Sequence, residues 1–136
     1  MHEFMLHEII IPGDPVPQKQ TRFARGRAYD PSSKDKERIR KYLWAARPEQ
    51  PLDGPVDVVI KLFFEIPKSY TRAQRMGIAE SGYMHTKKPD ADNCAYLITN
   101  ALKGLWIVDD SQIVDLFVYK RYSPLHGKTI IEVQRV

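Results

Sequence analysis

The sequence predicts an α+β fold in a single domain over residues 1–136, built as a small mixed β-sheet of about four strands with helices packed mainly on one face. Three observations predict it. From Val56 to Ile66 polar and apolar residues alternate, which puts Val56, Val58, Ile60, Leu62, Phe64 and Ile66 on one face of a strand, with Asp57, Lys61 and Glu65 opposite. From Asp92 to Gly104 the apolar residues Cys94, Leu97, Ile98, Ala101, Leu102 and then Leu105 recur at three-and-four spacing, one face of a helix. The segments follow one another as strand, helix, strand, two helices, two strands, an order that suits segregated layers around one core. A chain of 136 residues that is 43% hydrophobic can supply that core.

Taken in order, "FMLHEIIIPG" is an isoleucine-rich run that reads as a strand closed by Pro12-Gly13. In "DPVPQKQTRFARGRAYDP" the prolines and glycines deny a regular element. From Pro15 to Tyr29 this loop carries Lys19, Arg22, Arg25 and Arg27 with no acid between them, and Phe23 and Tyr29 interleave with the cations. "SSKDKERIRKYLWAA" predicts a helix capped by Ser32 or Ser33, with Ile39, Leu43 and Ala46 on one face, and "RPEQPLDGP" ends it. After the alternating strand, "KSYTRAQRMGIAESGYMHTKKP" predicts a short helix capped by Thr71 and then a polar connection to Pro89. Gly104 is the C-terminal stop of the Asp92 helix. "SQIVDLFVYKRY" and "KTIIEVQRV" predict two strands joined through "SPLHG" as an antiparallel hairpin.

The charge balance of 21 Lys+Arg against 17 Asp+Glu gives +4, a surplus that permits a polyanionic partner. The one cysteine, Cys94, excludes an internal disulfide and the paired-cysteine zinc and haem motifs, and it reads as a small core residue. The start "MHEFMLHEIIIPGD" lacks the basic patch and long apolar run of a signal peptide, and no segment reaches membrane-spanning length, so the expected setting is the cytoplasm. His2, His7, His85 and His126 show no paired ligand spacing and read as surface or strand residues, with His85 alone near the acidic motif.

That motif is "TKKPDADN": Asp90 and Asp92 at the start of the clearest helix, behind Lys87 and Lys88. Asp109-Asp110 follow "LWIV" just before a strand. Because the chain turns back after Gly104, a sheet edge beside the helix start is expected to bring the two acidic pairs together. Aspartates converging in this way suit a hard divalent cation such as Mg²⁺, which prefers oxygen ligands and retains several waters. Such an ion polarises a phosphoryl oxygen and activates water, the needs of phosphodiester hydrolysis, while the basic residues hold the phosphate backbone. Each feature alone has a plainer reading. An aspartate at a helix N-terminus caps orphan amides for about 0.5–2 kcal/mol, and Asp-Asp-Ser before a strand is turn chemistry. Only their conjunction favours a site.

Carried by "PGDPVPQKQTRF" and "GRAYDP", by "KKPDADN" opening the helix "LITNALKG", and by "LWIVDDSQIVDL", the chain resembles the RusA-type Holliday-junction resolvases almost end to end. The resemblance implies a homodimer without a nucleotide cofactor that binds four-way DNA junctions and resolves them by paired symmetric nicks in recombination and repair, with Mg²⁺ or Mn²⁺ as cofactor. It places the essential acids on Asp90, Asp92 and Asp110, with Asp109 and Lys88 as accessory neighbours and Asp115 as a structural residue. It makes Lys19, Arg22, Arg25, Arg27 and Lys87 DNA contacts and Phe23 and Tyr29 packing groups; Trp44 and Trp106 read as core or dimer-interface aromatics. One position departs from the family pattern: a lysine usual four residues after the second aspartate is here Tyr96. A tyrosine can stack or hydrogen-bond but brings no cation at neutral pH. Two further readings stand beside the enzyme. One is a prophage-derived protein that binds junctions with weak or no catalysis; the other is a basic α+β protein that partners another protein, with its acids as caps and turns.

Overall fold

The computed structural model describes residues 6–136; Phe4 and Met5 of the expected first strand, and His2, lie outside the described residues. The elements are β1 (Leu6–Pro12), β2 (Arg22–Ala24), β3 (Arg27–Tyr29), α1 (Ser33–Ala45), β4 (Val56–Glu65), α2 (Arg72–Glu80), α3 (Ala91–Leu102), a 3₁₀ turn (Asp110–Gln112), β5 (Ile113–Ser123) and β6 (Lys128–Arg135). Strands β1, β6, β4 and β5 lie in that order in one mixed sheet, and β2 and β3 form a separate ribbon. The α+β reading, with about four strands, describes this architecture.

The alternating strand takes the middle of the sheet. Val56, Val58, Ile60 and Leu62 are wholly buried against Leu97, Ile98, Ala101 and Leu102 of α3 and Ile39 and Leu43 of α1. Each such side chain withdrawn from water contributes about 1.5–3 kcal/mol. Among the described residues no helix is long and apolar enough to cross a membrane.

Three expectations are corrected. β5 and β6 do not form a hairpin, because β4 lies between them, parallel to β5 and antiparallel to β6. After α3 the chain returns at the beginning of β4, where Ile107 bridges Leu52, and so enters β5 in the direction of β4. Both edges of the most apolar strand are thereby covered. The basic segment is not wholly irregular either: Arg22–Ala24 pairs with Arg27–Tyr29 around Arg25-Gly26, whose φ values of 52° and 74° are those of the two-residue turn that matches strand twist. Finally, Ser32 stands at the N-cap of α1 without capping it. Its buried hydroxyl accepts from the Lys19 amide at 2.7 Å, which ties the basic segment to the helix instead.

Smaller differences follow from the same packing. Ala46 is exposed beyond the end of α1, and Trp44 is half-exposed with the Arg47 guanidinium 3.5 Å from its ring centroid, so neither is core. Trp106 is core, its indole N–H donating to the Leu43 carbonyl at 2.7 Å. Thr71 caps α2 in a reciprocal capping box with Gln74, as its position predicted. Gly104, at φ 77°, turns the chain after α3.

Truncating Leu97 to alanine is expected to cost about 2–5 kcal/mol of stability, measured by denaturant unfolding. Burial pushes the Cys94 thiol up to about 11. The native protein is therefore expected to resist thiol labelling at pH 8 and to react only when unfolded. Fast labelling of native protein would place Cys94 outside the core.

Candidate metal and nucleic-acid site

α3 positions the acids. Asp90 is its N-cap and Asp92 lies in its first turn, where the helix dipole favours negative charge. Asp90 makes no side-chain cap, however: its carboxylate faces the Lys88 ammonium, 3.1 Å and 3.3 Å from the two oxygens. Asp92 accepts only from the neighbouring Asn93 amide, at 3.0 Å. The capping explanation thus accounts for neither carboxylate, and both keep lone pairs for an outside ligand.

Cations surround this helix start. The carbonyl of Asn93 accepts from the Gln18 amide at 3.0 Å, which brings the basic segment alongside α3. Behind it the β2–β3 ribbon presents Arg22, Arg25 and Arg27, all exposed. Phe23 is 78% exposed at the ribbon's surface, so it is not the packing group expected of it, and Tyr29 is also exposed. Lys87 hydrogen-bonds the Tyr70 hydroxyl, which lowers the Tyr70 pKa and raises its own.

Sequence reasoning missed Lys120. It projects from β5 onto the helix side of the sheet, hydrogen-bonds the Lys87 carbonyl, and with Asp90 and Asp92 is one of the charges felt by Cys94. The sign that could have found it is a lysine in phase with Leu116, Val118 and Tyr122 on a strand's inward face. Below it lies a cleft of about 310 Å³ lined by Phe64, Tyr70, His85, Lys87, Lys88 and Tyr122. His85 stacks on Phe64 with centroids 4.2 Å apart, and burial followed by the charge of Lys120 lowers its pKa, which keeps the ring neutral at pH 7.

The acids of the second motif lie elsewhere. Asp109 caps the 3₁₀ turn, its carboxylate accepting from the Ser111 hydroxyl at 2.6 Å and the Ser111 amide at 3.2 Å, and these bonds lower its pKa. It is turn chemistry. Asp110 pairs with Lys103, the C-cap of α3, at 3.3 Å. A 12-residue helix is about 18 Å long, so Asp110 stands at the end of α3 opposite Asp90 and Asp92. The expected convergence is not made within one chain. Among the described residues no three of His, Cys, Asp and Glu are grouped to hold a metal ion. The reason is topological: α3 and β5 run in opposite directions, so the turn before β5 lies beside the end of α3, not its beginning.

Tyr96 is exposed one turn above Asp92, off the apolar stripe, as its spacing predicted. Gln112 holds the 3₁₀ turn in place: its side-chain oxygen accepts from the Val108 and Asp109 amides, and its nitrogen donates to the Leu52 and Gly54 carbonyls.

Residues 12–134 match the family described as Endodeoxyribonuclease RusA. An uncharacterized protein of Bacillus subtilis (strain 168), YqaN, is 42% identical over 79 residues, a stretch that covers 57% of this chain and 56% of that protein. The match thus spans little more than half the length of that relative.

Replacing Gln112 with alanine is expected to cost about 1–3 kcal/mol, since it removes four hydrogen bonds, two within the turn and two that join it to the segment before β4. Denaturant unfolding would check it; an unchanged midpoint would show that the turn is held by other contacts.

Proposed function

The chain belongs to the RusA endodeoxyribonuclease family, and from that membership we propose that it is a divalent-metal-dependent, structure-selective endonuclease that resolves four-way DNA junctions by paired symmetric nicks. The observation that carries the reading is the pair Asp90 and Asp92, unspent as caps, with Lys88 on Asp90 and the basic segment tied alongside α3 through Gln18. Asp109, by contrast, closes a capping box, its carboxylate taken up by the Ser111 amide and hydroxyl.

Asp90 and Asp92 would hold Mg²⁺ or Mn²⁺. Two carboxylates suit Mg²⁺, which commonly takes one or two together with water and substrate phosphate. When bound, the ion supplies phosphoryl polarisation and an activated water. The chain does the rest. Lys87, Lys88, Lys19 and the ribbon arginines neutralise the phosphate backbone and orient the strand, and the exposed Phe23 ring is free to stack on an unpaired base. Lys120 delivers a cation to the helix start from the sheet, where the family supplies one from α3. That compensates for Tyr96.

A twofold substrate is matched by a twofold enzyme, which makes a homodimer the natural form. The second reading, a prophage-derived junction-binding protein with little catalysis, is favoured by Tyr96 alone. DNA in the cytoplasm is the proposed setting of either.

The test is cleavage of a labelled four-way junction against linear duplex of the same sequence, with Mg²⁺, Mn²⁺ or EDTA. Paired nicks in the junction that need the metal are expected; binding without cutting under either metal would favour the second reading. Asp90→Asn is expected to slow cutting by roughly 10²–10³-fold while junction binding persists or tightens. Lys120→Met should slow the wild-type reaction, and Tyr96→Lys should partly restore it; an unchanged rate in Lys120→Met would remove Lys120 from the site. Reversing the charge of Arg22, Arg25 and Arg27 should reduce the slope of log affinity against log salt by about 0.9 for each phosphate no longer neutralised.

A further inference from the structure

α1 buries Ile39 and Leu43, and its outer flank forms a groove. Lys36, Arg40 and Trp44 stand there in one row, four residues apart, with Glu37 and Lys41 in the next; together with Leu105 they line a space of about 700 Å³. The floor is apolar, made by the indole of Trp44, the side chain of Leu105 and the aliphatic stems of the cations. Trp44 is 55% exposed, and it is held in that position. The Arg47 guanidinium lies 3.5 Å from its ring centroid and donates to its carbonyl at 2.7 Å. A large ring fixed in the open is the anchor expected of an interaction surface, where tryptophan is enriched.

The rim is positive. Of the four charged residues lining the groove three are cations, and Glu37 is the one acid. The cations differ in what else they hold. The Arg40 guanidinium donates to the Ala101 and Lys103 carbonyls at 2.8 Å and 2.9 Å, so it closes the end of α3 and offers the groove its stem and a fixed charge. That tie sets the groove beside the last turn of α3, away from Asp90 and Asp92 at its start. The Lys36 ammonium faces Asp30 at 3.7 Å. Lys41 is exposed and enters none of the ion pairs among the described residues.

We propose that this groove is a docking site for an acidic peptide segment of a partner protein, with one bulky apolar side chain of the segment against Trp44 and Leu105 and its carboxylates paired with Lys41 and Lys36. The apolar floor calls for the side chain, and the cationic rim calls for the carboxylates. A DNA strand answers the charge alone. Strand binding rests on successive stacking platforms along a cation-lined track. Here a single ring stands in the groove, Glu37 stands among the cations, and Arg40 is turned onto backbone carbonyls. The docking site holds whether or not the chain cuts DNA.

The probe is a fluorescein-labelled decapeptide in which aspartates flank a Leu-Phe pair, mixed with the intact chain and followed by anisotropy. Saturable binding is expected. Peptides with lysine for every aspartate, or with alanine for the Leu-Phe pair, should bind at least about tenfold more weakly. Trp44→Ala should lose about tenfold in affinity, and Trp44→Phe, which keeps an apolar ring, should lose less. Lys41→Glu should weaken binding more at low salt than at high salt, whereas Lys34→Glu, exposed on the same helix outside the groove, should bind nearly as the wild type does. Trp106 is buried, so a blue shift of tryptophan emission on binding reports Trp44. The substituted positions are exposed, and circular dichroism should show each variant folded. The absence of saturable binding, equal affinity for the acidic peptide and its lysine counterpart, or an affinity that Trp44→Ala and Lys41→Glu leave unchanged would each overturn the proposal. So would an oligothymidylate whose affinity falls with Trp44→Ala as far as the peptide's does, since the groove would then be a nucleic-acid surface. A change of mass in light scattering of Trp44→Ala would make it a contact between copies of the chain and would overturn the peptide reading too.

Discussion

The burial of one face of β4 is the constraint on which the rest of the structure depends. Val56, Val58, Ile60 and Leu62 are shut away from water only because α3 and α1 lie across them and because β5 and β6 close both sides of the strand. The chain returns after α3 at the start of β4, so β5 runs parallel to it, and the connection between the two parallel strands crosses over through α3. The crossover fixes α3 antiparallel to β5. From there the distribution of the acids is unavoidable: the helix starts where β5 ends. The core therefore decides which charged groups can meet, although none of them belongs to it.

Charge around the start of α3 is arranged in opposition. The helix dipole and Lys88 stabilise Asp90, and Lys120 reaches the same region from the sheet. Lys87 is drawn aside to Tyr70, which also meets Tyr122 in the adjoining cleft. A larger groove, about 700 Å³ along Lys36, Arg40 and Trp44 of α1, also sets cations beside an aromatic ring but is lined by none of the acids of the two motifs. Size and chemical endowment part company here. The small cleft joins aromatic faces to cations and lies one residue from the acids.

Elements whose identity rests on local spacing were legible in the sequence. The alternation in β4, the three-and-four repeat of α3 and the Thr71 capping box each express a periodicity that a neighbouring segment cannot alter. Pairing was not legible, because β5 and β6 are equally good strands whether or not they touch, and only competition for the edges of β4 decides. The ribbon at Arg25-Gly26 was hidden by its polarity: its strands bury nothing and so lack an apolar face. Of the site, the acids at the start of α3 were readable as residues and as a place. Their separation from Asp110 was not, since spacing along a chain carries no direction in space. Lys120 escaped notice because a single inward lysine resembles an interruption of the pattern.

β1 has a single neighbour in the sheet, β6, with Leu6 opposite Gln134 and Pro12 opposite Lys128. The first described strand thus waits for the last. During synthesis the "EIII" segment leaves the ribosome well before β6 and stays without a partner until β6 has followed. Closing so long a loop is an entropic cost met late, which slows folding. The native sheet therefore closes only once β6 has been made. A nascent chain stalled before β6 can hold α1 and the ribbon, but its central strand remains open on one side and its isoleucines remain exposed to other unfinished chains.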